Sequence, residues 1–332
     1  MRRRDFLLSS FCLSAVTACA RAAPGAELPK LAILSPDFPA SADPASGSLL
    51  SMFLQAMQEL GYVEGRNLRT ESRFAADRLD TLPVLAAELV AGRPNVIYTY
   101  TTGGARAAAN ATKSIPIVVG PAGEGVLLAL AGNLARPIGN VTGFVLQGLG
   151  LVEKCLQLLK ELAPRISRIG VLLNPDNPAW ANYPAILNAA AGQLGLVLVR
   201  VESRGLADID QTLAGLDGEK LDALLLVADS TLSTDDVSAR IIGFARDRHL
   251  PTASTSIGYA RRGGLLALGA DQNYMRRRSA EYVHRIIEGA RPGDLPIERP
   301  TKFVLSVNLL TAKAIGVTIP PVIFARADEV IE

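Results

Sequence analysis

The feature that most constrains this chain is a regular alternation of short apolar runs with amphipathic segments, which occurs twice along its length. Residues 31–34 form one apolar run, and apolar residues then recur at helical spacing over residues 49–60. Comparable strand–helix pairs continue to residue 144 and begin again near residue 151. Strands that alternate with helices predict parallel sheets with helices on both faces. We therefore expect an α/β protein made of two doubly wound lobes.

Short connecting segments are predicted after the third and fourth strands of the first half. The third strand is predicted at residues 96–100, followed by a turn at residues 101–104 and a helix at residues 105–111. The fourth strand is predicted at residues 115–119, so that residues 120–122 would come directly after it.

Length and composition exclude several protein classes. A chain of 332 residues has a two-domain length. Its 49% hydrophobic residues and net charge of +2 exclude a disordered chain. Basic and acidic residues are interleaved, so no nucleic-acid partner is expected. Three cysteines cannot form a disulfide scaffold, and no apolar span of about 20 residues follows residue 22.

Residues 1–22 have the layout of an export signal, with a basic head, an apolar middle and a small-residue end. The pair Arg3-Arg4 before residues 5–7 also resembles a twin-arginine signal. Two ends fit: cleavage after Ala22, or lipidation at Cys19. We expect a periplasmic protein, lipid-anchored if Cys19 is the processing site.

Residues suited to catalysis are scarce. Both histidines, His249 and His284, are expected at helix ends or on the surface, and no cluster has metal-ligand spacing. Cys155 lies in an apolar helical pattern, which favours an inert buried thiol. The sequence therefore predicts no enzyme activity, no cofactor and no metal site.

Binding groups are more plentiful. In open parallel sheets a ligand lies outside the carboxyl ends of the strands. The polar residues and glycines predicted there are Ser35, Thr101, Thr102, Gly103, Gly104, Asn174 and Asp229. Glycines would let a ligand approach backbone N–H groups at helix starts. The alternative is that the polar members only cap helices.

Several motifs resemble the ABC transporter substrate-binding protein family, which is related to tryptophan-binding periplasmic proteins. The matching segments are residues 60–67, 135–137, 139–143, 159–162 with Pro164, 174–175, 177–178, 295–296, 300–303, 308–309, 311–314, 319–321 and 327–331. They occur in the family's order from about residue 30 to residue 331.

This resemblance implies a type I periplasmic binding protein: two lobes joined by a hinge of three chain crossings, near Phe144, Asp271 and Phe303. Lobe 1 would comprise residues 30–144 with 272–302, and lobe 2 residues 145–271 with 303–332. Asp271, at the second crossing, joins the expected ligand-binding residues. The implied partners are a small polar or amino-acid-like ligand and an ABC permease of the inner membrane, and we expect a monomer.

Two details bear on the ligand. Many members of the family carry Asp-Pro after the fourth strand, where this chain has Gly120-Pro121. If that Asp holds an amino group, either the ligand differs here or Glu124 substitutes. Trp180 and Tyr183 follow the Asn174 turn and fit either an aromatic ligand or core packing.

Three other functions fit the same elements less well. A receptor of the same shape could signal to a membrane sensor rather than serve a permease. An exported α/β enzyme would need a catalytic base that the sequence does not offer. A transcription regulator would need a DNA-binding helix pair where the export signal stands.

Overall fold

The structure is a computed structural model that describes residues 27–44, 48–76, 78–146, 149–177, 183–229 and 231–332. The predicted export signal, including Cys19, and the predicted ligand neighbour Trp180 lie outside these residues. No described helix is long and apolar enough to cross a membrane.

The described residues form two sheets. The strands are β1 (Lys30–Ser35), β2 (Arg69–Phe74), β3 (Val96–Thr99), β4 (Ile117–Gly123), β5 (Val141–Leu146), β6 (Arg168–Leu173), β7 (Val197–Glu202), β8 (Ala223–Leu226), β9 (Thr252–Ser254), β10 (Leu266–Ala270), β11 (Phe303–Asn308) and β12 (Glu329–Ile331). The first sheet has the order β2-β1-β3-β4-β5, and the second has the order β12-β11-β10-β9-β8-β6-β7.

Helices cover the sheets. They are α1 (Leu49–Glu59), α2 (Leu82–Ala91), α3 (Thr102–Ala111), α4 (Glu124–Ala131), α5 (Leu149–Leu162), α6 (Tyr183–Leu194), α7 (Ile209–Ala214), α8 (Asp235–Asp247), α9 (Gln272–Ile287), α10 (Leu309–Ala314) and α11 (Pro321–Phe324). The predicted α/β fold with two lobes is confirmed.

The apolar runs became strands because both faces of each sheet are covered. The four residues of the run at 31–34 are at most 1% exposed. A strand buried on both faces has a continuous apolar sequence rather than an alternating one. Burial of each larger side chain of the run, at Leu31, Ile33 and Leu34, contributes about 1.5–3 kcal/mol.

The first sheet also receives a helix from late in the chain. Met275, Tyr282 and Val283 of α9 lie in the same core cluster as Tyr98 of β3 and Phe144 of β5. The chain therefore leaves the first sheet after β5, returns to it after β10 and leaves again before β11. Phe303, at the start of β11, packs against the cores of both sheets.

Three local predictions were wrong. The strand β4 continues through Gly123, because Ala122 and Gly123 pair with β5 after a register shift. Residues 102–104 form the first turn of α3 rather than a preceding turn. The second sheet is not wholly parallel, since β11 runs antiparallel to β10, and β12 was not predicted. A three-residue strand at a sheet edge is too short for a clear sequence pattern.

Candidate functional site

Both sheets reverse their strand order beside the first strand of each half. In the first sheet β1 lies between β2 and β3, and in the second β6 lies between β7 and β8. Connections leave opposite faces at such a point, so a crevice opens at the carboxyl ends of the strands. Ser35, Thr101, Asn174 and Asp229 lie at the carboxyl ends of the four strands β1, β3, β6 and β8, which flank these two crevices.

In the first crevice, Ser35 belongs to a buried hydrogen-bond chain. The Tyr100 hydroxyl donates to Asp37 Oδ2 (2.6 Å) and lies 2.7 Å from Ser35 Oγ. Because Tyr100 has one proton and gives it to the carboxylate, the Ser35 hydroxyl donates to Tyr100. The Asp37 amide in turn donates to Ser35 Oγ (3.1 Å). Ser35 is fully buried, so its side chain holds the loop rather than facing solvent.

Asp37 and Tyr100 were not among the predicted site residues. Burial, followed by the nearby Asp37 charge, raises the pKa of Tyr100 well above its ordinary value, so its proton stays in place at neutral pH. Asp37 is half-buried, whereas the next residue, Phe38, is 53% exposed. An acidic residue two positions after a buried strand was the available sequence signal.

The segment from Thr101 to Gly104 starts α3 with an unusual backbone. Thr101 has φ 81° and ψ 155°, and its Oγ1 accepts from the Gly104 amide (3.3 Å). Thr102 Oγ1 accepts from the Gly123 amide (3.2 Å), which ties α3 to the end of β4. The backbone N–H groups at the first turn of a helix favour anions.

The two glycines of this segment have different roles. A Cβ on Gly104 would lie 2.2 Å from Thr99 Oγ1, so only glycine fits there. A Cβ on Gly103 would meet only Leu82 Cδ1, at an ordinary 3.4 Å, and Gly103 is exposed. Gly103 is therefore the glycine whose backbone is open to an approaching molecule.

In the second crevice the structure brings Asn174 and Asp229 together. Asn174 Nδ2 donates to Asp229 Oδ1 (3.3 Å), and Asn177 Nδ2 donates to Asp229 Oδ2 (2.6 Å). The Thr231 amide (2.9 Å) and hydroxyl (2.6 Å) also donate to Asp229 Oδ1. Asp229 is only 8% exposed. Because its carboxylate accepts hydrogen bonds from residues after both strands, it joins the loops that follow β6 and β8. Thr231 was not among the predicted site residues.

Asp271 lies between the two sheets in the chain. Its side chain caps α9 by accepting from the Tyr274 amide (3.0 Å), and its own amide donates to the Lys302 carbonyl (2.9 Å). The Lys302 ammonium lies 5.1 Å from the centre of the Tyr274 ring. These hydrogen bonds do not join Asp271 to the other predicted site residues, so its place in the site stays a prediction.

The end of β4 is shaped by tyrosines. A Cβ on Gly120 would lie 2.9 Å from the Tyr98 hydroxyl and 3.0 Å from Tyr100 Cβ. Tyr98 cannot move away, since it is fully buried and its ring stacks on Phe53 with centroids 3.7 Å apart. This packing explains why position 120 carries no side chain.

Redox and metal chemistry have little support in the described part of the chain. No group of three His, Cys, Asp or Glu residues there could hold a metal ion. Cys155 is buried as predicted, and burial raises the pKa of its thiol to about 12. A thiol with so high a pKa is a poor nucleophile at neutral pH.

Comparison with known proteins gives a consistent family. A tyrosine-binding protein of Clostridioides difficile (strain R20291) is 26% identical over 264 residues, which cover 79% of this chain and 75% of that protein. The crystal structure of a conserved domain protein from Vibrio cholerae has a TM-score of 0.81 and 28% identity, and covers 92% of this chain and 100% of that one. A structure from Streptococcus pneumoniae, described as an ABC domain in complex with L-Trp, has the same TM-score at 21% identity, with coverage of 92% and 100%.

The two-lobed fold and these neighbours agree with the type I periplasmic binding protein fold inferred from the sequence. The family model described as "ABC transporter substrate binding protein" matches residues 42–331, which is most of the chain. On this match, and as the sequence motifs predicted, the chain belongs to the ABC transporter substrate binding protein family.

Proposed function

We propose that this protein captures an aromatic amino acid between its two lobes and delivers it to an ABC permease in the inner membrane. One observation carries the proposal: each sheet presents polar side chains at the crevice beside its reversal point, around Asp37 in one sheet and Asp229 in the other. A ligand that contacts the polar side chains of both crevices would favour a closed arrangement of the lobes, because closure adds contacts from the second lobe.

Three observations support an aromatic amino acid. Relatives are described as tyrosine-binding and as bound to L-Trp. Phe38 presents an exposed ring at the carboxyl edge of β1, where an aromatic side chain can stack. The first N–H groups of α3, at Thr102 and Gly103, suit a carboxylate.

We assign lobe 1 to residues 30–144 with 272–302, and lobe 2 to residues 145–271 with 303–332. The core shared by α9 and the first sheet supports this division. Asp271 and Phe303 would then lie at hinge crossings, with residues 101–104, Asn174 and Asp229 around the ligand. Ser35 would contribute to the site by holding the Asp37 loop. We further propose export through residues 1–22 and action as a monomer without a cofactor or catalytic step.

A thermal-shift screen of the twenty amino acids tests the ligand class. A compound that binds only the folded state must raise the melting temperature, by an amount that grows with its concentration. We expect L-tyrosine, L-tryptophan or both to do so, and native mass spectrometry to show one bound molecule per chain. If neither amino acid shifts the melting temperature nor adds mass, the proposed ligand class is wrong.

A further inference from the structure

Two carboxylates at the carboxyl edge of the first sheet are placed to meet a positively charged group, but their surroundings differ. Glu124, at the start of α4, forms an ion pair with Arg299, with Arg299 Nε 3.2 Å from Glu124 Oε2 and a second contact through Nη2. Asp37 forms no ion pair with any described residue, and its single side-chain hydrogen bond comes from the neutral Tyr100 hydroxyl. Glu124 therefore already has a positively charged partner, whereas Asp37 has none among the described residues.

We propose that Asp37 binds the ammonium group of the amino-acid ligand in the first lobe, and that Tyr100 is the residue that positions it. This inference rests on the proposed function and adds the charge that the ligand must carry. It also replaces Glu124 as the residue expected to compensate for the absence of an acidic side chain at Gly120.

The packing around Gly120 leaves no room for an acidic side chain at that position of β4. A side chain at Gly120 would collide with the Tyr98 hydroxyl and with Tyr100 Cβ. Two tyrosines therefore close this position, and the hydroxyl of one of them, Tyr100, holds Asp37. Tyr98 and Tyr100 thus exclude an acidic side chain at position 120, and Tyr100 also orients the one that follows β1.

The hydrogen-bond chain beneath Asp37 fixes one carboxylate oxygen and leaves the other available to a ligand. Tyr100 is 3% exposed, and its hydroxyl is held by both Ser35 and Asp37 Oδ2. No described group donates to Asp37 Oδ1. A carboxylate that is already oriented loses little freedom when a ligand binds, which favours affinity.

Arg276 is the one buried cation near Asp37 among the described residues, and it does not occupy the carboxylate. Its guanidinium donates to the Leu49 carbonyl (2.7 Å), the Gln272 carbonyl (2.8 Å) and Gln272 Oε1 (3.1 Å). No described carboxylate oxygen lies within 4 Å of it. Arg276 acts on Asp37 only through its longer-range electrostatic field, so the carboxylate still has no positively charged group in direct contact among the described residues.

Closure of the lobes makes this missing partner important. When the lobes exclude water from a half-buried carboxylate, the charge becomes costly unless a positive group replaces the water. An ammonium group on the ligand supplies that charge and up to three N–H donors. A ligand without it would leave Asp37 dehydrated and unpaired.

The test compares matched ligands by isothermal titration calorimetry of the purified protein. The probes are L-tryptophan and L-tyrosine, together with indole-3-propionate and 3-(4-hydroxyphenyl)propionate, which lack only the ammonium group. We expect the wild-type protein to bind each amino acid at least about tenfold more tightly than its deaminated counterpart. In Asp37→Asn, which keeps an acceptor for Tyr100, that preference should disappear.

Two further variants separate binding from folding. Glu124→Gln removes the same charge from an ion-paired residue and should keep the preference for the amino acids. Tyr100→Phe removes the hydroxyl that orients Asp37 and should lower the ratio of amino-acid affinity to deaminated-acid affinity, whereas a general loss of structure would weaken both classes alike.

The outcomes distinguish this inference from the proposed function. Equal binding of amino acids and deaminated acids by the wild-type protein, or a preserved preference in Asp37→Asn, overturns the role of Asp37 and leaves the proposed function standing. Absence of binding by all four probes overturns the proposed ligand class, and the role of Asp37 with it.

Discussion

At the residue scale, Asp229 shows how one side chain can organise a whole edge. Its carboxylate accepts hydrogen bonds from Asn174, Asn177 and Thr231, which come from the loops after β6 and β8. The sequence placed Asn174 and Asp229 at strand ends, but it could not show that they bond to each other. Strand order decides which loops are neighbours.

Replacing this carboxylate should affect both folding and binding. Asp229→Ala removes the hydrogen bonds that the carboxylate accepts from Asn174, Asn177 and Thr231, so we expect the free energy of unfolding to fall by about 1–3 kcal/mol. Binding of L-tryptophan or L-tyrosine should weaken, because the loops lose their arrangement. Urea unfolding and calorimetry measure the two effects. Asp176→Ala removes an exposed carboxylate paired with Arg204 and should change unfolding by less than about 1 kcal/mol.

Thr101 supplies a second residue-scale prediction. Its φ of 81° with ψ of 155° belongs to a region that suits glycine almost exclusively. Strain of this kind costs about 1–3 kcal/mol, whereas replacing an N-cap threonine by glycine costs only a few tenths of a kcal/mol.

We therefore expect Thr101→Gly to raise the free energy of unfolding, by about 1 kcal/mol in urea titrations. The matched control is Thr112→Gly at the other end of α3, where φ is −146° and the Thr112 hydroxyl accepts from two amides. That change should destabilise the protein. A loss of stability in Thr101→Gly as well would show that the backbone at this position is not strained.

At the element scale, the start of α3 illustrates what apolar spacing does not show. The alanine-rich pattern predicted a helix from residue 105, but the helix begins at Thr102, because Thr101 caps it and glycines can occupy its first turn. The same limit applies to β4, whose last residues pair with β5 only after an irregular step. Boundaries of this kind depend on hydrogen bonds that hydropathy does not encode.

The two glycines of this turn give a matched pair of variants. In Gly103→Val the new Cβ makes only an ordinary contact with Leu82 Cδ1 at an exposed position, so the free energy of unfolding should change by no more than about 1 kcal/mol, while the valine side chain blocks access to the helix N-terminus. Binding of L-tryptophan or L-tyrosine should be lost. Gly104→Ala instead forces a clash with Thr99 Oγ1 and should lower the free energy of unfolding by about 1–3 kcal/mol. Unchanged binding in Gly103→Val would exclude this turn from the site.

At the scale of the whole molecule, the proposed function requires the two lobes to approach each other around a ligand. Small-angle X-ray scattering should show a smaller radius of gyration in saturating L-tryptophan or L-tyrosine than in buffer. Asp229→Ala at the same amino-acid concentration should keep the larger value of the unliganded protein, because the second-lobe contacts that favour closure are weakened. An equal radius with and without a bound amino acid would exclude closure as the response to binding.

Much of this protein is determined by local sequence. Two α/β lobes are predicted by the apolar run at residues 31–34, by the helical spacing through Phe53 and Met57, and by the repetition of this pattern. Strands that are buried on both faces need apolar side chains whatever their position in the sheet, so this part of the fold can be predicted without knowing the strand order. Strand ends also marked Ser35, residues 101–104, Asn174 and Asp229 as candidates.

Only the tertiary structure shows which residues surround these candidates and what they bond to. The sequence predicted only that Tyr100 ends a strand, whereas the order β1-β3 places its hydroxyl between Ser35 and Asp37. Gly120 resembled a missing contact until Tyr98 and Tyr100 were seen to fill its space. Hydropathy indicates whether a side chain is buried. The hydrogen-bond partner of a buried hydroxyl or carboxylate depends instead on strands that are distant in sequence and adjacent in the sheet.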